Sequence, residues 1–118
     1  MGIRKIYISG KISGLPIQEV IAKFRAAEDK IRRFGFEPVS PLNNGLPLEA
    51  EWADQMGKDV ALLLKSDAVY MMDNWQKSEG ATLEYLIAKQ RRMRIFKEAT
   101  FEATADVDAR IGYHEKEA

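Results

Sequence analysis

The stretch from Ser66 to Phe96, SDAVYMMDNWQKSEGATLEYLIAKQRRMRIF, most constrains what this chain can fold into. Asp67 to Met72 is a short, almost unbroken apolar run, the pattern of a strand covered on both faces in a parallel sheet. Polar residues follow, then Ser78 and Gly80 open a segment from Ala81 to Arg91 made mostly of good helix formers. Arg94 to Phe96 reads as the next strand. A strand, loop, helix, strand order of this kind demands a crossover and a parallel sheet, and ligands of such sheets bind at the carboxyl ends of the strands. Glu84 sits inside the helix of this unit. Taken alone it reads as a solvated helix residue.

The rest of the chain repeats the unit. Arg4 to Ser9 has strand content and stops at Gly10, where the turn Gly10–Lys11–Ile12–Ser13–Gly14 frees backbone amides to face a ligand. Pro16 suits a helix first turn, and Val20, Ile21, Phe24, Ala27, Ile31 and Phe34 recur on one helical face before Gly35 caps the end. Phe36 to Ser40 is a second short strand limited by Pro38 and Pro41. Pro41 to Ala50 is turn-rich and reads as a flexible surface loop. A second helix begins around Glu49 to Trp52 and runs to about Lys65 with Trp52, Met56, Val60 and Leu63 on one face; Trp52 is expected in the core. At about 100° per residue, Asp59 falls on that apolar face, where a carboxylate is either paired or used. The expected fold is α/β: a flavodoxin- or Rossmann-like three-layer sandwich on a parallel sheet of four to five strands. The domain is expected over residues 1–97, and 98–118 as a docking tail, a short helix, a partly disordered end or an oligomer contact.

Composition removes several function classes. Lys plus Arg equals Asp plus Glu at 18 each, so no net field draws the chain to a nucleic acid polymer or an anionic membrane. Without cysteine there are no disulfides, thiol nucleophiles or Cys-ligated metals, and His114 as the one histidine argues against histidine triads and metal sites. No uncharged apolar run approaches roughly 18 residues, so the expectation is a soluble, cytoplasmic protein.

In the expected architecture three strand ends converge on one crevice. They bring Tyr7 with the Gly10–Gly14 loop, Asp59 from the second helix, and the segment from Asp73 to Glu84. Two carboxylates across a small pocket are what glycosidic cleavage asks for, one to attack the oxocarbenium-like carbon and one to protonate the leaving group. Ser9, Gly10, Lys11 and Ile12 on the first turn, and Asp73, Trp75, Ser78 and Gly80 on the third loop, are candidates to bind substrate. Ser78 and Gly80 would offer a hydroxyl and helix-terminal amides to an anion, Lys11 a mobile cation, and Trp75 a surface for a base. Ser78 reads equally as a helix N-cap.

The motifs YISGKISG, KDVALLLKSDAVYMM and Ser78–x–Gly80–x–x–x–Glu84 resemble, in that order, those of the nucleoside 2-deoxyribosyltransferase superfamily. Within it the chain looks closest to the short uncharacterised members and to the 2'-deoxynucleoside 5'-monophosphate N-glycosidases. The resemblance implies Glu84 as the nucleophile that forms a glycosyl ester, Asp59 as the residue that protonates or positions the base, and Tyr7 as the orienter of the nucleophile. Six residues before the nucleophile, relatives acting on free nucleosides carry Asp and those acting on monophosphates carry Ser, as here with Ser78. The first loop differs from the glycosidases in having Ser13 where an Arg is expected and Lys11 in place of a small polar residue. The implied substrate is a nucleotide or nucleoside, the acceptor water or a second base, with no cofactor and with sites completed across a homodimer or larger assembly. A non-catalytic nucleotide-binding module is the rival reading.

Overall fold

The computed structural model describes residues 2–107. Their elements run β1 (Lys5–Ser9), α1 (Ile17–Arg33), β2 (Glu37–Val39), α2 (Trp52–Leu64), β3 (Ala68–Met71), α3 (Glu79–Gln90), β4 (Arg94–Lys97) and α4 (Phe101–Val107). The four strands are all parallel, in the order β2-β1-β3-β4. The chain therefore reverses its winding between β1 and β3, and at that switch point the two carboxyl-terminal strand ends diverge and leave a crevice.

Strand alternation sorts the side chains into two cores. Ile6, Ile8, Ala68, Tyr70 and Phe96 face α1 and α4, where they meet Val20, Phe24, Ile31 and Phe101. Tyr7, Val69, Met71 and Ile95 face the other way, against Leu63 of α2 and Ala88 of α3. Ser9 shares this second face, two residues beyond Tyr7, and is fully buried at its upper edge. Every residue of β3 is buried, as its continuous apolar pattern requires, while β2 is the exposed edge that tolerates Pro38. Asp67 pins the entry to β3: its carboxylate accepts the backbone N–H groups of Lys5 at 2.9 Å and Arg4 at 3.0 Å. Those two bonds hold its carboxyl below the usual range.

Glycine and arginine end the helices differently. Gly35, at φ +91°, turns the chain out of α1 with its N–H on the Arg32 carbonyl. After α3 the same left-handed role falls to Arg92, at φ +58°, where the sequence offers no glycine to announce it.

Two expectations are revised. Pro41 to Ala50 is not a free loop at its start: Pro41–Asn43 forms a 3-10 turn capped by the Ser40 hydroxyl, and Pro41 is buried. Trp52 is 48% exposed and stands outside the core. The core also continues beyond Lys97. Phe101 is fully buried, with the rings of Phe34, Phe36, Tyr70 and Phe96 around it at centroid distances of 5.1 to 6.5 Å. Of the expected C-terminal segment, residues 108–118 lie outside the described residues. No helix among the described residues is long and apolar enough to cross a membrane.

Candidate active site

A cavity of about 450 Å³ opens at the β1/β3 switch point, within the range of small-molecule sites. Its floor is Tyr7, Asp59 and Glu84. One wall is the Gly10–Ser13 turn, a second is the start of α3 from Ser78 to Ala81, and the third is formed by Leu42, Asn44, Leu46 and Leu48 with Trp52 and Met56 of α2. Two of these walls require glycine or a helix terminus. A Cβ on Gly10 would stand 2.4 Å from the Met72 sulfur, so only glycine lets the turn lie against the end of β3.

Glu84 belongs to α3, whose Ser78 caps it in an extended conformation, the hydroxyl accepting the Ala81 N–H at 3.1 Å. Leu83 and Leu86 of the same helix face outward, which leaves Glu84 on the side turned to the sheet. It is 4% exposed. Two hydroxyls meet it there: Tyr7 Oη donates to Oε2 at 2.7 Å and Ser9 Oγ donates to Oε1 at 2.6 Å. Burial, against the lowering effect of the Ser9 and Tyr7 bonds and with a smaller contribution from the nearby Asp59, raises the Glu84 carboxyl to about 7. The Tyr7 phenol is pushed well above its ordinary range, first by burial and then by the charges of Glu84 and Asp59, so it stays a neutral donor.

Asp59 is 7% exposed on the inward side of α2. Its Oδ1 accepts a hydrogen bond from Asn44 Nδ2 at 2.9 Å. Burial raises its pKa and the Asn44 bond opposes that. The resulting floor is a pair of desolvated carboxylates in one cavity, each steadied by neutral donors rather than by a cation. That combination is characteristic of acid, base and nucleophile work, since structural carboxylates are ordinarily exposed or salt-bridged.

Of the residues singled out in the sequence, Tyr7, Gly10, Lys11, Ile12, Asp59, Ser78, Gly80 and Glu84 line this one cavity. Ser9 lies beneath it and is spent on Glu84. Lys11 closes the rim: its N–H donates to Asn74 Oδ1 at 3.1 Å and its ammonium to the Lys77 carbonyl at 3.2 Å. Trp75 lies outside the cavity walls and stacks on Tyr85, with centroids 4.4 Å apart. Asp73 also lies outside them. It borders a smaller cavity of about 250 Å³ beside Lys23, Lys30, Tyr70 and Glu98, and its N–H is taken by the Glu98 carboxylate at 2.9 Å. Among the described residues no group of three or more His, Cys, Asp or Glu side chains is placed to hold a metal ion.

Sequence reasoning missed Asn44 and Gln55. Asn44 Nδ2 also donates to Gln55 Oε1 at 2.7 Å, and Gln55 Nε2 donates to the Pro47 carbonyl at 2.7 Å. Gln55 precedes Asp59 by one helical turn, a spacing that puts both on one face and was available as a signal. Asn44 sits in an Asn–Asn–Gly turn, where nothing in the sequence separates a turn former from a site residue.

The family model described as a domain of unknown function, DUF4406, matches residues 4–97. No curated protein matches the chain. Among solved structures, a 2-deoxyribosyltransferase from the psychrotolerant bacterium Bacillus psychrosaccharolyticus is similar at a TM-score of 0.61 and 21% identity, over 79% of this chain and 70% of that one. A 2-deoxyribosyltransferase from Leishmania mexicana is similar at a TM-score of 0.62 and 15% identity, over 80% of this chain and 63% of its own. The chain thus spans a little under two thirds of the Leishmania protein. It belongs to the DUF4406 family, and its fold is that of the 2-deoxyribosyltransferases.

Proposed function

We propose that the protein cleaves the N-glycosidic bond of a nucleoside or deoxynucleoside 5'-monophosphate, with water as the final acceptor. The observation that carries this reading is Glu84: a carboxylate almost sealed from solvent, bracketed by two hydroxyl donors, on the floor of a cavity it shares with a second buried carboxylate. A Glu84 oxygen attacks C1' of the sugar while the C1'–N bond breaks. The electron pair of that bond goes to the base nitrogen, which takes a proton from Asp59. Water then attacks C1' of the glycosyl ester and gives a proton back to Asp59, and Glu84 leaves as the carboxylate. Tyr7 and Ser9 favour the ionised form of Glu84 against burial and fix its oxygens.

The phosphate preference rests on the start of α3. Ser78 Oγ accepts the Ala81 N–H, so its own hydrogen remains to be donated to an anion, and the helix terminus adds a partial positive charge. Lys11 stands at the same rim. Transfer to a second base in place of water is the second reading. It is favoured by the likeness in fold to two proteins named as 2-deoxyribosyltransferases.

The test is free-base release from a panel of ribo- and deoxyribonucleoside monophosphates and the matching nucleosides, followed by chromatography, with Glu84→Ala alongside. Release by wild type alone supports the reading. Exchange only on adding a second base makes the protein a transferase. No turnover across the panel, with ligand still bound, leaves a nucleotide-binding module.

A further inference from the structure

Asn44 has both amide hydrogens and one lone pair of its carbonyl oxygen committed. One amide hydrogen goes to Asp59 Oδ1 at 2.9 Å and the other to Gln55 Oε1 at 2.7 Å, while Asn44 Oδ1 accepts the Leu46 N–H at 2.9 Å. It consequently has no amide hydrogen left to donate to a base. Asp59 Oδ1 is spent as well. Asp59 Oδ2 has no partner among the described residues, and it is not one of the fully enclosed polar atoms, of which none lacks a partner. Asp59 lines the cavity, so the open oxygen is the one a ligand can meet.

We infer that Asn44 is a positioning residue for the proton donor: by holding Asp59 Oδ1 it makes Oδ2 the oxygen that carries the proton to the departing base. This deepens the glycosidase reading and rests on it. A carboxylic acid held through one oxygen places its proton on the other, because Asn44 donates to Oδ1 and a protonated Oδ1 would meet that donor head on. Asn44 also ties this choice to the wall above. Gln55 grips the Pro47 carbonyl, so the 41–50 segment that carries Leu46 and Leu48 over the cavity and the carboxylate beneath it share one amide. The other ionisable groups in the same cavity are Tyr7 from β1, Lys11 from the first turn, and Glu79 and Glu84 from α3.

Removing the donor withdraws a bond that favours ionised Asp59, so its titration moves to higher pH. The experiment is a carboxyl-carbon NMR titration of ligand-free protein in a Glu84→Gln background, with Asp59 assigned through Asp59→Asn, comparing Asn44 with Asn44→Ala and Asn44→Asp. Asn44→Asp keeps an acceptor for the Leu46 N–H and so preserves the turn should the alanine variant fail to fold. The Asp59 midpoint is expected to rise in Asn44→Ala and to rise further in Asn44→Asp, where a second carboxylate faces it.

With Glu84 restored, the limb of the pH–rate profile for base release that reports Asp59 should move upward in Asn44→Ala. The limb that reports Glu84 stays in place, and the rate at the optimum falls about tenfold. An unmoved Asp59 midpoint in a folded variant overturns the inference, as does a rate loss with neither limb displaced. A displaced midpoint in a protein that releases no base upholds the Asn44–Asp59 coupling and overturns the glycosidase reading instead.

Discussion

Tyr7 and Glu84 are 77 positions apart in sequence and 2.7 Å apart in the fold, joined by a phenol that donates to a carboxylate oxygen inside the protein. The bond exists because β1 and α3 meet on one face of the sheet. Replacing Tyr7 by Phe keeps the ring in the core and removes one of two donors to Glu84. The Glu84 carboxyl, already raised to about 7, should rise further. The limb of the pH–rate profile that reports Glu84 is expected to move to higher pH, with a loss of about 10- to 100-fold near neutrality, the equivalent of about 1 to 3 kcal/mol. Steady-state rates from pH 5 to 9 check this, and an unmoved limb would show that Tyr7 only packs.

If Glu84 is the proposed nucleophile, it also sets a conflict between stability and activity. Its folded-state value of about 7 lies above the ordinary 4.5, so the folded protein binds this proton more tightly than the unfolded chain. The wild type therefore loses stability as pH rises from about 4.5 to about 7, by up to about 3 kcal/mol from this group. Glu84→Gln does not titrate. It should abolish base release, and it should melt higher than wild type at pH 8 while showing no such gain at pH 4. Thermal melts at the two pH values decide it.

Phe101 tests where the domain ends. The ring is fully buried among Phe34, Phe36, Tyr70 and Phe96, on the face of the sheet opposite Glu84. Phe101→Ala should cost about 3 to 5 kcal/mol in urea unfolding, and a chain stopped after Lys97 should fail to unfold cooperatively. A truncated chain as stable as the full one would return α4 to the status of a tail.

What the sequence made legible follows its physics. The β3 run and the apolar face of α1 announce themselves because burial on both sides, or along one stripe, leaves a period in the sequence. Asp59 was flagged for the same reason, as a charge in an apolar period. Ser9 was named as a substrate contact rather than as a donor to Glu84, and Asn44 was not named at all. Ser9 and Asn44 act through bonds of 2.6 and 2.9 Å to carboxylates 75 and 15 residues away, and no local pattern encodes such distances. Trp52 misled because its spacing matched the buried stripe of α2 although it stands at the end of the helix, where the cavity rather than the core lies beside it. Phe101 was hidden because α4 is only seven residues long and carries its one large core side chain at its first position, with only Ala105 beside it in the core.

Gly10 is the tightest backbone approach at the site. In Gly10→Ala the new methyl would sit 2.4 Å from the Met72 sulfur and 3.0 Å from its Cβ, so strand or turn must move. The expected cost is about 1 to 3 kcal/mol of stability. Activity should fall with it, because the same turn carries Lys11 and Ile12 along the cavity. Pairing it with Met72→Ala should restore part of the stability, a coupling that a double-mutant cycle in urea measures directly. Additive losses would mean that the turn, not the sulfur, resists the methyl.

In the proposed reaction Ser78 is the residue that would favour a phosphate-bearing substrate. Ser78→Asp keeps a good N-cap, since an aspartate accepts the Ala81 N–H as the serine hydroxyl does, so the melting temperature should stay within a degree or two. What changes is the charge at the rim. A carboxylate there repels a dianionic phosphate and removes the hydroxyl hydrogen that would be donated to it, while leaving Glu84, Tyr7 and Asp59 in place. For monophosphates kcat/KM should drop at least tenfold, about 1.4 kcal/mol, chiefly through KM. The matching nucleosides lack the repelled group, so their rates should hold or rise. The ratio of the two, measured side by side in wild type and variant, separates a phosphate contact from a general loss of fitness at the helix terminus. An equal fall for both substrate classes would assign Ser78 to capping alone.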